Sequence, residues 1–196
     1  MAPPELHGER VLLRPIRASD ARDRQAYGWD AEVERGYGRS ITTRPTTDDE
    51  AATWLAEAAA GQADGFRWVV DMDGAAVGET ALLRVDLEKE LNATYVVGMF
   101  GSAVLGKGIG RDVTRTVLAH GFTTLGLHRI DLRVLEFNAR AIASYRACGF
   151  VEEGRERESC RLDGRWYDDV MMSILDREFA ALHPGAAQVP SEPATT

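Results

Sequence analysis

The chain has 196 residues, 44% of them apolar and 28% charged, enough to bury one full core without staples. Its formal charge of −8 argues against a nucleic-acid partner, whose phosphates demand a basic face, and suits a cationic ligand. No apolar run reaches the roughly 20 residues of a membrane span. The opening MAPPELHGERVLLR lacks a basic-then-apolar signal segment, and Cys148 and Cys160 have neither disulfide-framework nor metal-ligand spacing. A cytoplasmic, metal-free protein with no membrane partner is expected.

RVLLRPI (10–16) predicts a strand closed by Pro15, with Ser19-Asp20 starting a helix. From Asp20 to about Tyr37 the pattern is helical but broken by Gly28 and Gly36, and a loop, RSITTRPTT, runs to Thr47. Thr47-Asp48-Asp49-Glu50 is a capping box, with Ala51, Trp54, Leu55 and Ala58 as the apolar stripe behind it. FRWVVDMDGAAVGETALLRV (66–85) predicts two strands joined at Asp73-Gly74, because glycine takes the positive φ of a tight hairpin turn. ATYVVGMF (93–100), apolar almost throughout, predicts an interior strand covered on both faces. A helix from about Arg111 to Leu125 places Val113, Val117, Leu118 and Phe122 on one side. RIDLRVL is a strand, NARAIASYRACG a helix stopped by Gly149, and GRERESCRL and WYDDVMMSIL are closing strands that meet at Asp163-Gly164. The tail, 183–196, has three prolines and small residues and is expected to be disordered. Residues 1–182 then form one α/β domain, a mixed and mostly antiparallel central sheet flanked by helices.

GSAVLGKGIGRDV (101–113) carries the chemical signal. Its G-x-x-x-x-G-K stops short of a triphosphate P-loop, since Lys107 is followed by Gly108 where a magnesium-binding Ser or Thr is needed. A dinucleotide fingerprint would need glycine at 111, where Arg111 stands. Three glycines at alternate positions between a strand and a helix also disfavour a plain turn. What remains is an anion cradle of main-chain N–H groups at a helix N-terminus. Lys107, Arg111 and Arg115 add positive charge there, although the same three cations equally suit a solvated helix face.

The strand HRIDLRVLEFN, ending in Asn138, and the following NARAIASYRACGF complete a pattern that resembles the GNAT superfamily of acetyl-CoA-dependent N-acetyltransferases. Within it the chain looks like the branch of ribosomal-protein N-terminal acetyltransferases. The resemblance runs from GERVLLRPIRASD to DGRWYDDVMMSIL. It implies the GNAT fold, with the fourth and fifth strands (95–100 and 130–135) splayed to form the acetyl-CoA cleft. It implies that the pyrophosphate rests on amides of Leu105, Gly106, Lys107, Gly108, Ile109, Gly110 and Arg111. Backbone at Val97, Gly98 and Met99 would border the thioester and supply an oxyanion donor. Asn138 would hold the pantetheine by its amide, and an N-cap is an equally good reading of the same residue. Tyr145 would be the general acid for the departing thiolate, as against a core tyrosine with a satisfied hydroxyl. Leu105 stands where the family usually has Gln or Arg, which removes one polar contact.

The implied reaction is direct attack of a neutral amine on the thioester in a ternary complex, since no Cys-His or Ser-His-Asp set supports a covalent intermediate. The amine's proton needs a carboxylate or a water chain, and Tyr95 stands about where relatives carry a glutamate. Glu79, Asp86, Glu88 and Glu90 are the nearby alternatives, each also readable as a surface group, with Glu79 first because apolar strand surrounds it. Acceptor selectivity falls to 27–45, with Trp29, Tyr37 and Arg39, joined by Glu79, Asp86 and Glu88. The acidic balance and DLEKE favour a small cationic amine such as an aminoglycoside, which would make this an antibiotic-resistance activity. The family branch favours a protein N-terminus instead. A non-catalytic acyl-CoA sensor is the remaining class, opposed by Tyr145, and a homodimer is admitted.

Overall fold

The computed structural model describes residues 3–60 and 65–185, so most of the proline-rich tail, 186–196, lies outside the described residues. The elements run β1 (Leu6–His7), β2 (Leu12–Arg14), α1 (Asp20–Tyr27), α2 (Ala31–Arg35), α3 (Asp48–Ala60), β3 (Phe66–Met72), β4 (Ala75–Asp86) and β5 (Asn92–Met99). A 3-10 turn then leads to α4 (Ile109–Ala119), β6 (Arg129–Leu135), α5 (Ala139–Arg146), β7 (Val151–Leu162), β8 (Arg165–Leu175) and α6 (Asp176–Leu182). One eight-stranded sheet holds them in the order β1-β2-β3-β4-β5-β6-β8-β7. Every neighbouring pair is antiparallel except β5 and β6.

Local chemistry sets these boundaries. Gly28, at φ 68°, ends α1, and the Asp30 side chain restarts the helix by accepting from the amides of Glu32 and Val33. The capping box forms as its spacing predicts: Glu50 N donates to Thr47 Oγ1 at 3.2 Å and Thr47 N to Glu50 Oε2 at 3.0 Å. Both hairpin turns carry positive φ at their two central residues, Asp73-Gly74 and Asp163-Gly164.

The main core lies between one sheet face and α4, where Val113, Val117 and Leu118 are fully buried against Trp68, Leu82, Tyr95 and Ile130. On the other face a smaller cluster of Val69, Ala76 and Phe100 packs Tyr27 of α1 and Trp54 of α3. Trp54 meets Phe100 edge-on, with ring centroids 5.3 Å apart.

The structure departs from the sequence reading at two places. The strand expected at 10–16 is shorter, Leu12–Arg14, and pairs with a two-residue strand, Leu6–His7, that was not expected; between them the amides of Glu9 and Arg10 donate to the buried Asp112 of α4 at 2.9 and 2.7 Å, outside the sheet ladder. A further helix, α6, follows β8, started by Glu178, whose carboxylate accepts from Leu175 N at 2.9 Å.

An ion cluster fixes the first crossing. Arg14, 1% exposed on β2, donates from Nη1 and Nη2 to Asp20 at 2.9 and 2.8 Å and from Nε to Asp71 at 2.6 Å. The hydrogen bonds from the guanidinium to Asp20 hold the Arg14 pKa well above its ordinary value, against the opposing effect of burial. Removing the cation strands two buried carboxylates, a loss of about 3–5 kcal/mol. Arg14→Leu is therefore expected to lower the denaturant midpoint by that equivalent, and an unchanged midpoint would show that the cluster does not hold α1 to the sheet.

Candidate active site

Pairing between β5 and β6 is confined to Asn92 with Arg129, Ala93 with Ile130 and Thr94 with Asp131. The last rung is reinforced by a 2.9 Å hydrogen bond from Thr94 Oγ1 to the Asp131 carboxylate. Beyond it the strands part, as expected for 95–100 and 130–135. Phe100 N donates to Val77 O at 2.9 Å on the β4 side. Strand alternation then turns the N–H and C=O of Val97 and Met99 the other way, into the gap. The Val97 carbonyl accepts from the Tyr37 hydroxyl at 3.0 Å, leaving the amides of Val97 and Met99 facing open space.

The gap opens into a cleft of about 790 Å³. Val97, Met99, Leu105, Gly106, Gly108, Gly110 and Arg111 line it on one side, Asn138 and Tyr145 on the other. Gly106 and Gly108 take φ values of 72° and 83°, and a Cβ at Gly106 or Gly110 would meet nothing within 4 Å, so the main chain there is bare. Two of the seven amides expected to hold phosphate are already used: Leu105 N donates to Ser102 O and Arg111 N to Gly108 O. The amides of residues 106–110 have no acceptor among the described residues, and Gly108 provides no side-chain cap for α4. Five free N–H groups at a helix N-terminus are of the kind that can take an anion. Ile109 contributes only main chain, its side chain being 1% exposed in the core, and the Lys107 carbonyl accepts from Arg10.

Asn138 caps α5, its Oδ1 accepting from Ala141 N at 3.2 Å. The cap uses the oxygen and leaves the Nδ2 donors, so both readings of this residue are compatible. Tyr145 packs edge-on against Tyr95 and Phe150, with ring centroids 6.4 and 5.8 Å away, and this burial pushes its phenol up to about 12. Tyr95 itself is closed into the core with its hydroxyl 3.0 Å from Thr114 Oγ1, so it offers no base at the place where relatives carry a glutamate.

A second cavity, of about 490 Å³, lies on the opposite side of β5. Trp29, Tyr37, Arg39, Glu79 and Gly98 line it. Glu79 stands opposite Gly98 in the β4–β5 register and shares its face, and its carboxylate accepts from Arg67 Nη1 at 3.2 Å. Tyr37 lies directly over Gly98, where a Cβ would come within 2.5 Å of the hydroxyl. Asp86 and Glu88 line neither cavity. Asp86 accepts from the amides of Glu88 and Lys89 in the β4–β5 turn, seven residues and roughly 20 Å of strand from Glu79, at the end where β5 and β6 still pair.

Sequence reasoning missed the wall that α3 supplies: Asp49, Thr53 and Glu57, each four residues apart, face this cavity, as does Arg24 of α1. The polar stripe opposite the apolar one on α3 is the signal that could have found it.

Residues 10–151 match the family model described as an acetyltransferase (GNAT) domain. The chain belongs to the GNAT acetyltransferase family. An uncharacterized N-acetyltransferase, p20, of Bacillus licheniformis is 29% identical over 181 residues, 89% of this chain and 98% of that protein. A spermidine N(1)-acetyltransferase of Vibrio cholerae is 40% identical over 74 residues, 38% of this chain and 43% of that protein. A crystal structure of spermidine N-acetyltransferase from Vibrio cholerae in complex with CoA and spermine superposes with a TM-score of 0.71 at 25% identity, covering 87% of this chain and 98% of that one. This GNAT enzyme uses acetyl-CoA, and the cleft fits it. The bare amides of residues 106–110 can take a diphosphate, and the unpaired edge of β5 can take the amide-bearing arm.

Gly108→Val would put a β-branched residue at a φ that such residues avoid, in the centre of the cradle. Calorimetry with coenzyme A is expected to show at least a tenfold loss of affinity, with circular dichroism unchanged. Wild-type affinity in that variant would place the diphosphate elsewhere.

Proposed function

We propose that this chain transfers acetyl from acetyl-CoA to a primary amine of a small polycationic molecule, the class that polyamines and aminoglycosides both represent, by direct attack in a ternary complex. The observation that carries the reading is a shared wall: Tyr37, Val96, Val97 and Met99 border both the cleft and the second cavity. The two cavities adjoin at these residues, so a thioester in one and an amine in the other can come into direct contact there, which is the positioning that converts a bimolecular attack into a local one. Glu34, Asp49, Glu50, Glu57 and Glu79 line the second cavity against Arg24, Arg39 and Arg67, a balance that favours a cationic guest. The relatives named for spermidine support an amine acceptor. The two free cysteines fit a reducing cytosol as its compartment.

In this reading acetyl-CoA supplies the activated acyl group. The free amides of residues 106–110 hold the diphosphate, and Asn138 Nδ2 donates to the arm. The Val97 and Met99 amides point to where negative charge grows on the acyl oxygen. Glu79, held by Arg67, takes the proton that the attacking amine sheds. Tyr145 gives its proton to the departing sulfur, and a phenol raised to about 12 stays loaded at every physiological pH. Leu105 contributes no polar side-chain contact, and the loop amides carry that role.

Free-thiol release with acetyl-CoA and a panel of polyamines, aminoglycosides and N-terminal peptides tests the proposal. Turnover is expected with the small polycations ahead of the peptides, and cofactor binding with no thiol release from any amine would mark a sensor instead. Tyr145→Phe should lower kcat about a hundredfold while leaving coenzyme A affinity intact. In the wild type kcat/KM should rise with pH as the acceptor's ammonium group deprotonates. No fall caused by loss of the Tyr145 proton is expected until pH approaches about 12, and a Tyr145-dependent fall near neutrality would remove the tyrosine from that role.

A further inference from the structure

Arg24 is 8% exposed, yet it lines the second cavity. Its Nη1 donates to the Gly28 carbonyl at 2.6 Å, and its guanidinium carbon lies 4.9 Å from the Trp29 ring centroid and 5.3 Å from that of Phe100. Nε and Nη2 have no acceptor among the described residues. The carboxylates whose fields reach it already have guanidinium partners: Glu34 pairs with Arg39 at 2.8 Å, Glu50 with Arg44 at 2.6 Å and Glu79 with Arg67 at 3.2 Å. Burial lowers the Arg24 pKa from its ordinary value, as it must for a cation with no anion beside it.

A guanidinium has five donors and no acceptor, and an ammonium group likewise only donates. An oxygen-free polyamine therefore cannot satisfy Arg24 and brings like charge towards it. A carboxylate would satisfy it but would enter among Glu34, Glu50 and Glu79 and past Asp49 and Glu57 at the rim. A neutral oxygen on a molecule that is otherwise cationic meets both demands. Two further N–H groups on residues that line this cavity, the indole of Trp54 and Nε of Arg67, are buried with no acceptor among the described residues.

We propose that Arg24 recognises a hydroxyl or ether oxygen on the acceptor, so that the preferred substrates are amino sugars and other hydroxylated amines over oxygen-free polyamines. The inference rests on the acetyl-transfer reading above. Its chemistry is the same exchange: the amine nitrogen bonds to the acyl carbon and the carbon–sulfur bond breaks, one amine proton passes to Glu79, Tyr145 protonates the departing thiolate, and after the thiol and amide leave Tyr145 regains a proton and Glu79 loses one through solvent.

The test compares matched acceptors with the full-length chain and acetyl-CoA: diaminopropane against diaminopropanol, and spermidine against kanamycin and glucosamine. A site built to hydrogen-bond an oxygen discriminates strongly against the analogue lacking it. The wild type is expected to favour the hydroxylated member of each comparison by roughly tenfold or more in kcat/KM. Arg24→Met should erase that preference mainly through KM for the oxygen-bearing acceptors. Arg24→Lys, which keeps the charge but not the fork, should restore only part of it, with coenzyme A affinity unchanged in both. Equal turnover of diaminopropane and diaminopropanol by the wild type would overturn the proposal without any variant. So would an Arg24→Met variant that weakens every acceptor alike, since that is what a purely structural arginine would do. Coenzyme A binding with no thiol release from any amine would instead remove the transfer reading, and this inference with it.

Discussion

Backbone N–H and C=O groups inside a protein need partners, and each one left without costs about 1–3 kcal/mol. The parting of β5 from β6 after Thr94 and Asp131 breaks that rule in the middle of the sheet, and much of the site is arranged around the break. The strands are held together up to the break by three paired positions and the Thr94–Asp131 hydrogen bond. Past it, Tyr37 takes up the Val97 carbonyl, and the remaining amides wait for a guest that carries its own acceptors. The site of chemistry is thus a defect in the hydrogen-bond ladder, kept open by well-ordered structure on either side.

The helices near the break serve it in different ways. Asp30 caps α2 and also accepts from Ser102 N at 2.7 Å, so the segment carrying Tyr37 is tied to the loop that follows β5. Arg140 of α5 pairs with Glu32 of α2 at 2.8 Å across the cleft mouth. An acidic chain also needs local positive charge to receive a polyanion. Arg111 and the bare start of α4 supply it, while α3 and β4 keep the opposite face acidic. In the proposed reaction, guests of opposite charge would approach from cavities that adjoin at Tyr37, Val96, Val97 and Met99.

Much of this could be read before the structure. Gly106, Gly108 and Gly110 signalled a bare main chain, Asp73-Gly74 and Asp163-Gly164 signalled hairpins, and Thr47 to Glu50 signalled a helix start, because each is a local rule written in adjacent residues. What could not be read depended on partners distant in sequence. Nothing near Gly8 announces that Asp112, about a hundred residues on, will take the amides of Glu9 and Arg10 and hold them out of the sheet ladder. Asp86 and Glu88 looked close to the site because their strand is, but strand length carries them to the closed end of the cleft. Arg24 sits on a short helix with no distinguishing pattern, and its missing anion is visible only once Glu34, Glu50 and Glu79 are seen to be paired elsewhere.

Because the partition between the two cavities is thin, made of Tyr37, Val96, Val97 and Met99, a ligand need not choose one of them. A molecule carrying a coenzyme-like arm on one side and a basic head on the other could pass beside Tyr37 and occupy both at once. Joining the halves makes the second contact intramolecular, with an effective concentration in the millimolar range for a short tether. Such a conjugate would gain avidity from geometry alone, and the thinness of that partition makes this protein open to bisubstrate inhibition.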